Sequence, residues 1–369
     1  MTQPFPAFLK TLAASPDSAR AAIASAYIAN ADVPVTDDST VTFLYEGDAR
    51  AAAVPSDLNG WDPGAGPMTK LPGTRLFFRT ETLPPDGRLE YKLWVDSAWM
   101  LDPRNRRTAA GGYGENSDVW MPQYVQSLAA QYTPGIRRGR IDTLQIRSRA
   151  LGRVYPVYVY TAPGRAPKRP RPVLYVTDGG DYLALGRLNT ILDNLLAARK
   201  IAPLVAVFID PHAVEPAGPR DYRMTDYAAS DPYLDFLEHD VAPLIERRYH
   251  GSALPEQRLI MGVSMGGIEA TYAVLRRPEF VLNCAAQSPA YYQADSAVIR
   301  LSASLDAKGR RVYIDAGTVR DTEAEATLVA GQMRARGAEV AFTAYHEGHN
   351  WTNWRARLPL ILTTFFPRR

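Results

Sequence analysis

The spacing of apolar positions changes along the chain. Over residues 5–30 it is helical: Phe5, Phe8, Leu9 and Leu12 share one face, and Ile23, Tyr27 and Ile28 supply a second. Ser15-Pro16 separates the two helices, with Pro16 suited to a first helical position, and Asp32-Val33-Pro34 ends the segment. From about 39 to 121 the period shortens to that of strands. Val41, Phe43 and Tyr45 alternate with Thr42 and Leu44, and Leu76-Phe77-Phe78 and Tyr91-Lys92-Leu93-Trp94-Val95 follow. Turn clusters such as Leu58-Asn59-Gly60-Trp61-Asp62-Pro63 and Pro84-Pro85-Asp86-Gly87 separate the runs, which predicts a small β-sandwich. After a stretch with Pro134-Gly135 and Arg137-Arg138, strands and helices alternate. Ile141–Ser148, Val154–Tyr160, Val173–Val176, Leu204–Ile209, Leu259–Met261, Asn283–Gln287, Arg311–Ile314 and Val340–Tyr345 read as strands. The apolar face of Leu188, Ile191, Leu192, Leu195 and Leu196, and the segments Tyr233–Tyr249 and Glu323–Arg336, read as helices. Strands alternating with helices imply a mostly parallel sheet.

These changes of period divide the chain into a helical segment at 1–31, a sandwich at 32–125, a linker at 126–139 and an α/β domain at 140–369. Within the second part, Asp57-Leu58-Asn59-Gly60-Trp61, Tyr91-Lys92, Trp99 and Asp102-Pro103-Arg104-Asn105 resemble the early-set sandwich that opens isoamylases and glycogen-binding modules. The resemblance allows glycan binding through Trp61 or Trp99. Packing of Trp61, Trp94 and Trp99 within the sandwich is the favoured reading.

Composition narrows the class. With 46% hydrophobic and 22% charged residues over 369 positions, the chain is that of an ordinary globular protein. A formal net charge of +3, with no basic stripe interleaved with aromatics, argues against nucleic acid as a partner. Acidic residues exceed basic ones before position 126 and basic exceed acidic after it, which gives the second part some attraction for anions. Cys284 is the single cysteine, so neither an intrachain disulfide nor a cysteine-based metal site is expected. No basic leader opens the chain and no apolar run has the length of a membrane span. A soluble, cytoplasmic protein with no membrane partner is the expectation.

The chemistry centres on Gly262-Val263-Ser264-Met265-Gly266-Gly267, which follows an apolar strand and precedes a helix. A Gly-x-Ser-x-Gly in that setting is a nucleophile elbow, with the Ser264 hydroxyl exposed and the Met265 N–H aimed at a developing oxyanion. Asp178-Gly179-Gly180-Asp181 follows Val173–Val176, where a second oxyanion donor is expected. A serine nucleophile needs a base and an acid, which in an elbow-type hydrolase follow it in the order acid, then histidine. His346 and His349 are the histidines beyond Ser264, and both follow the last strand; His349, after Gly348, is favoured. For the acid, Asp321 is favoured over Asp315 and Glu323.

Tyr175-Val176-Thr177-Asp178-Gly179-Gly180, the Ser264 elbow and Gly348-His349-Asn350-Trp351, in this order, resemble the esterase D-like family. That family includes enterochelin esterases, feruloyl esterases and mycolyltransferases. The resemblance covers about 140–369, and the sandwich in front is similar to the two-domain enterochelin esterase layout. It implies an α/β-hydrolase fold preceded by a small immunoglobulin-like β-sandwich. It implies Ser264 as nucleophile, His349 as base, and Met265 and Gly180 as oxyanion donors. Gly317-Thr318-Val319-Arg320-Asp321 resembles the acid loop, though a glutamate often stands where this chain has Asp321. For substrate binding it points to Arg220 and Arg223, which could instead pair with Asp221 or Asp226, and to Tyr291, Tyr292 and the pocket-wall residue Trp351. The implied activity is carboxylic-ester hydrolysis on a small anionic or aromatic ester, without metal or cofactor, first on catecholate siderophore trilactones. Alternatives are a feruloyl or acetyl esterase on polysaccharide, an acyltransferase, and a glycan-binding protein with an inactive hydrolase domain.

Overall fold

Strands buried on both faces explain why alternation blurs in the first third of the chain. In the computed structural model, which describes residues 3–164 and 169–368, Thr40–Glu46 pairs antiparallel with Leu76–Thr82, and Val41, Thr42, Phe43 and Leu44 are all buried. Val41 and Phe43 pack with Leu89, Tyr91, Leu93 and Val119 from the facing strands. Leu44 and Leu76 pack under Phe5, Phe8, Leu12, Tyr27 and Ile28. One face of the sheet is therefore covered by other strands and the other by two helices, Phe5–Ala13 and Asp17–Asn30. Pro16 caps the second helix and lies just outside it, one residue earlier than its spacing suggests.

Two compact units divide the chain. The first comprises Met1–Gln126 together with two short segments from far along the sequence, Gly317–Asp321 and Tyr345–Asn350. Its sheets are antiparallel and short: Val35–Thr36, Thr40–Glu46, Leu76–Thr82 and Thr69–Lys70 form one, and Arg88–Tyr91, Gly114–Trp120 and Thr108–Gly111 another. Val319, from the first distant segment, lies in the core between them with Val41, Phe43 and Tyr91.

The second unit comprises Ser127–Ala316, Thr322–Ala344 and Trp351–Arg369. Its strands β1 (Arg140–Arg147), β2 (Val154–Thr161), β3 (Val173–Val176), β4 (Val205–Ile209), β5 (Arg258–Val263), β6 (Asn283–Gln287), β7 (Arg311–Gly317) and β8 (Glu339–Tyr345) line up in the order β1-β2-β4-β3-β5-β6-β7-β8. β1, β2 and β4 pair antiparallel, and β4 through β7 run parallel. β3 to β6 are buried residue for residue, as a sheet covered by helices on both faces requires. This is an α/β-hydrolase fold preceded by a β-rich unit. The helix expected over Tyr233–Tyr249 begins at Asp231, capped by the Ser230 side chain, and widens to a π-turn at Leu237–Val241 before resuming at Ala242. Pro243 lies just beyond, and its missing N–H removes one bond of the regular α ladder.

Candidate active site

The strand β5 ends at Val263, and the helix Met265–Arg276 begins two residues later. Ser264 makes the whole turn, at φ 55° and ψ −115°. A non-glycine residue there costs about 1–3 kcal/mol, so the surrounding structure must hold it. The Ser264 N–H donates to the Gln287 carbonyl (2.9 Å), and its own carbonyl accepts from Gly267 and Ala290 N–H (both 3.1 Å). Gly262 and Gly266 permit the turn by closeness. A Cβ on either would overlap the Thr177 hydroxyl, and one on Gly262 would also meet the Gly266 backbone. The first N–H groups of the helix, Met265 among them, have no acceptor within it.

β3 leads into Asp178 (φ 51°) and the short helix Gly179–Ala184, so Gly180 also sits in a first helical turn. Arg223 braces this turn against the elbow. Its Nε and Nη2 donate to both oxygens of Asp178 (2.7 and 3.1 Å), and Nη2 also reaches the Val263 carbonyl (3.1 Å). Burial pushes the Asp178 carboxyl up in pKa, and Arg223 opposes the shift. Arg223 was expected to hold an anionic ligand, with a pairing to Asp221 or Asp226 as the alternative; its forked donors are engaged by a third carboxylate.

Beside Gly180 stands a pair that the sequence reading missed. Asp210 Oδ1 lies 2.7 Å from His212 Nδ1, and Asp210 Oδ2 lies 2.5 Å from where a Gly180 Cβ would stand. Burial lowers the His212 pKa, but the Asp210 bond and the charges of Asp210, Asp221 and Asp181 outweigh it and raise it. The Asp181 carboxyl is raised by burial and then by Asp210. Asp210-Pro211-His212 directly after a continuous apolar strand was the available signal.

The first unit holds the expected base and acid. His349 Nδ1 lies 2.7 Å from Asp321 Oδ1, and Asp321 Oδ2 accepts from the Gly317 N–H at 2.6 Å. The Asp321 side chain is fully buried while that of His349 is 37% exposed. A buried carboxylate on Nδ1 fixes the ring's tautomer and leaves Nε2 as the basic nitrogen. Of the alternatives, Asp315 accepts from Gln287 Nε2 (3.3 Å) in the second unit, and Glu323 opens the helix Glu323–Ala335. His346 Nδ1 pairs with the exposed Asp86 (2.6 Å).

The substrate-binding candidates divide. Arg220 is exposed on the short strand Arg220–Asp221, its guanidinium 5.2 Å from the Tyr222 ring centre, and Tyr292 is exposed. Tyr291 does not face solvent. It is fully buried in the core, and its hydroxyl bonds Thr271 Oγ1 at 2.7 Å, so it cannot stack on an acyl group without unpacking the Met265–Arg276 helix. Trp351 likewise packs edge-on against Tyr182 and Trp354, with ring centres 5.2 and 5.1 Å away, at the start of the helix Trp351–Phe365. Among the described residues no group of three or more His, Cys, Asp or Glu is arranged to hold a metal ion, and no helix is long and apolar enough to cross a membrane.

Comparison with known proteins places the chain among esterases. The iron(III) enterobactin esterase of Escherichia coli K12 is 24% identical over 315 residues, covering 78% of this chain and 74% of that protein. The endo-1,4-β-xylanase/feruloyl esterase of Xylanibacter ruminicola is 25% identical over 243 residues, covering 63% of this chain; the chain spans only 32% of that relative's length. The crystal structure of ferric enterobactin esterase from Salmonella typhimurium superposes with a TM-score of 0.78 at 18% identity, covering 92% of this chain and 98% of that one. The family described as Putative esterase matches residues 148–365, more than half the chain. The chain therefore belongs to the Esterase family, and its enzymatic class is carboxylic-ester hydrolase.

Proposed function

We propose that the protein hydrolyses a small carboxylic ester through a Ser264–His349–Asp321 triad and an acyl-enzyme. Ser264 Oγ attacks the ester carbonyl, and its proton passes to His349 Nε2. Asp321 keeps the imidazole in the required tautomer and stabilises the imidazolium. Met265 and Gly180 N–H groups receive the oxyanion. His349 returns the proton to the leaving alcohol, and water, deprotonated by the same imidazole, releases the acid. The observation that carries this reading is the Ser264 backbone: a serine held at φ 55° between strand and helix serves no packing purpose that a glycine would not serve with less strain.

The first substrate class is the catecholate siderophore trilactone. Its support is likeness to enterobactin esterases that extends through the first unit as well as the second, over 92% of the chain in fold. A feruloyl ester is the second reading, favoured by the Xylanibacter relative and by a ferulic acid esterase structure of TM-score 0.51, each covering 63% of the chain. Of the two arginines expected to meet an anionic substrate, Arg223 is engaged by Asp178 and Arg220 is exposed. The test is turnover of ferric catecholate trilactone beside methyl ferulate and an aryl acetate, for wild type and Ser264→Ala. Ser264-dependent preference for the trilactone is the expected result. Preference for the ferulate moves the substrate to polysaccharide esters, and undiminished turnover by Ser264→Ala overturns the mechanism.

A further inference from the structure

The loop that carries His349 also carries Glu347, Gly348 and Asn350, and its side chains enter a buried polar cluster built on residues near the start of the chain. Arg88 is its centre, fully buried. It donates to Glu90 Oε1 (2.9 Å) and Asn350 Oδ1 (3.0 Å), and pairs with Asp118 Oδ1 (2.9 Å) and Glu347 Oε2 (3.7 Å). The Arg88 N–H also holds the His346 carbonyl at 2.9 Å. Asp57 completes the cluster from the turn Asp57–Asn59. Its Oδ2 accepts from Asn350 Nδ2 (3.0 Å) and the Glu90 N–H (2.8 Å), and its Oδ1 accepts from Trp61 Nε1 (3.3 Å). Gly348 lies so close that an added Cβ would stand 2.5 Å from Asp57 Cγ.

We propose that Asp57 is a positioning residue for His349, acting through Asn350 and Gly348, and that protonation of Asp57 loosens the loop that carries the base. The inference rests on His349 being the base. Asp57 accepts from three donors: Asn350 Nδ2, the Glu90 N–H and Trp61 Nε1. The ionised carboxylate accepts at both oxygens with charge-assisted bonds, whereas a proton on Oδ1 sets a donor against the Trp61 N–H and leaves Oδ2 a weaker, neutral acceptor for Asn350 and the Glu90 N–H. Three carboxyl groups pair with the one guanidinium, and Asp57 is bonded to the same strand and loop beside them, which disfavours ionising all four. The groups that face Asp57 are Glu90 and Arg88 from one strand, Trp61 from its own turn, and Asn350 from the base loop, with Asp118 and Glu347 beyond Arg88. Burial, then the Glu90 charge, push the Asp57 carboxyl up to about 7, against the opposing Glu90 N–H, Arg88 and Trp61.

The two consequences have opposite signs. A carboxyl whose folded pKa lies above its unfolded value of about 3.9 stabilises the fold most at low pH, and that contribution is lost as pH rises toward 7. Loop order runs the other way, because the ionised carboxylate holds Asn350 by a charge-assisted bond that weakens to a neutral one on protonation. A purely structural Asp57 would make activity follow stability. A positioning Asp57 makes activity fall below pH 7 while this residue's contribution to stability grows.

The experiment uses the full chain and compares wild type, Asp57→Asn, Asp57→Ala and Asn350→Ala. It reads kcat and KM on an aryl acetate from pH 5 to 9, urea unfolding, and amide exchange of residues 345–350 at matched pH. Asp57→Asn keeps the bonds to Asn350 and the Glu90 N–H at neutral strength at every pH and loses the titration. Its acid limb is expected to follow one ionisation where the wild type follows two. Asp57→Ala and Asn350→Ala are expected to lose about ten- to a hundredfold in kcat with little change in KM, and to exchange faster over 345–350. Wild-type kcat and exchange in Asp57→Ala, or in Asn350→Ala should the first fail to fold, would overturn the proposal. Retained activity in Ser264→Ala would instead sink the triad, and the exchange data would still decide whether Asp57 orders the loop.

Discussion

Asp321 is held from two sides, by His349 Nδ1 on one oxygen and the Gly317 N–H on the other, with its side chain out of water. Asp321→Asn cannot satisfy both donors. The amide must either present its NH2 to the Gly317 N–H or turn it to His349 Nδ1, which selects the wrong tautomer. The expected outcome is a fall in kcat of about 10³–10⁴-fold with KM little changed, read by steady-state kinetics on an aryl acetate. The contrast with Arg223 and Tyr291 is instructive at this scale. Both residue types suit a binding pocket, yet Arg223 is spent on Asp178 and Tyr291 on Thr271. Side-chain type is readable from sequence; its partner is not, because each partner lies many positions away.

At the scale of elements, the elbow depends on three chain segments meeting without side chains between them. Gly262 lies one residue before the end of β5, Gly266 is the second residue of the helix Met265–Arg276, and Thr177 follows the neighbouring strand β3, its hydroxyl directed to the Met261 carbonyl (3.3 Å). Gly266→Ala places a methyl on that hydroxyl. It should cost about 1–3 kcal/mol in urea unfolding and lower kcat through a displaced Ser264. The elbow was legible beforehand because strand, turn and helix each leave a local signature. The strands of the parallel sheet were legible for a related reason, since burial on both faces turns them into continuous apolar runs such as Val173–Val176 and Leu204–Ile209. The π-turn at Leu237–Val241 and the Asp210–His212 pair were not. Neither alters the apolar spacing, and both arise from what the neighbouring backbone leaves open.

Over the whole molecule, charge burial was the least readable property. Arg88, Glu90 and Asp118 alternate with apolar residues as surface positions of a sandwich strand would, and all are buried. Burial alone would lower the Arg88 pKa, yet Asp118, Glu90 and Glu347 raise it above its ordinary value, so the guanidinium stays charged. Arg88→Met removes the cation and leaves its carboxylates uncompensated. Breaking such a buried pair costs about 3–5 kcal/mol at neutral pH, measurable by urea unfolding. Without Arg88 the carboxyl groups hold protons more tightly in the folded state, so the deficit should shrink as pH falls.

The partners of this cluster also fix an order of events during synthesis. Asn350 bonds Arg88 across 262 positions and Asp57 across 293. A ribosome adding about 5–20 residues per second takes roughly 15–60 s to cover that span. Until then the first unit lacks two of its own segments, and Arg88 lacks Glu347 and Asn350. The early part of the nascent chain therefore waits, with a cation and several carboxyls still hydrated, for a stretch made 262 or more positions later. The loop that carries His349 and its support become ordered together, so on the proposed mechanism a chain not yet extended past Asn350 carries Ser264 without its base.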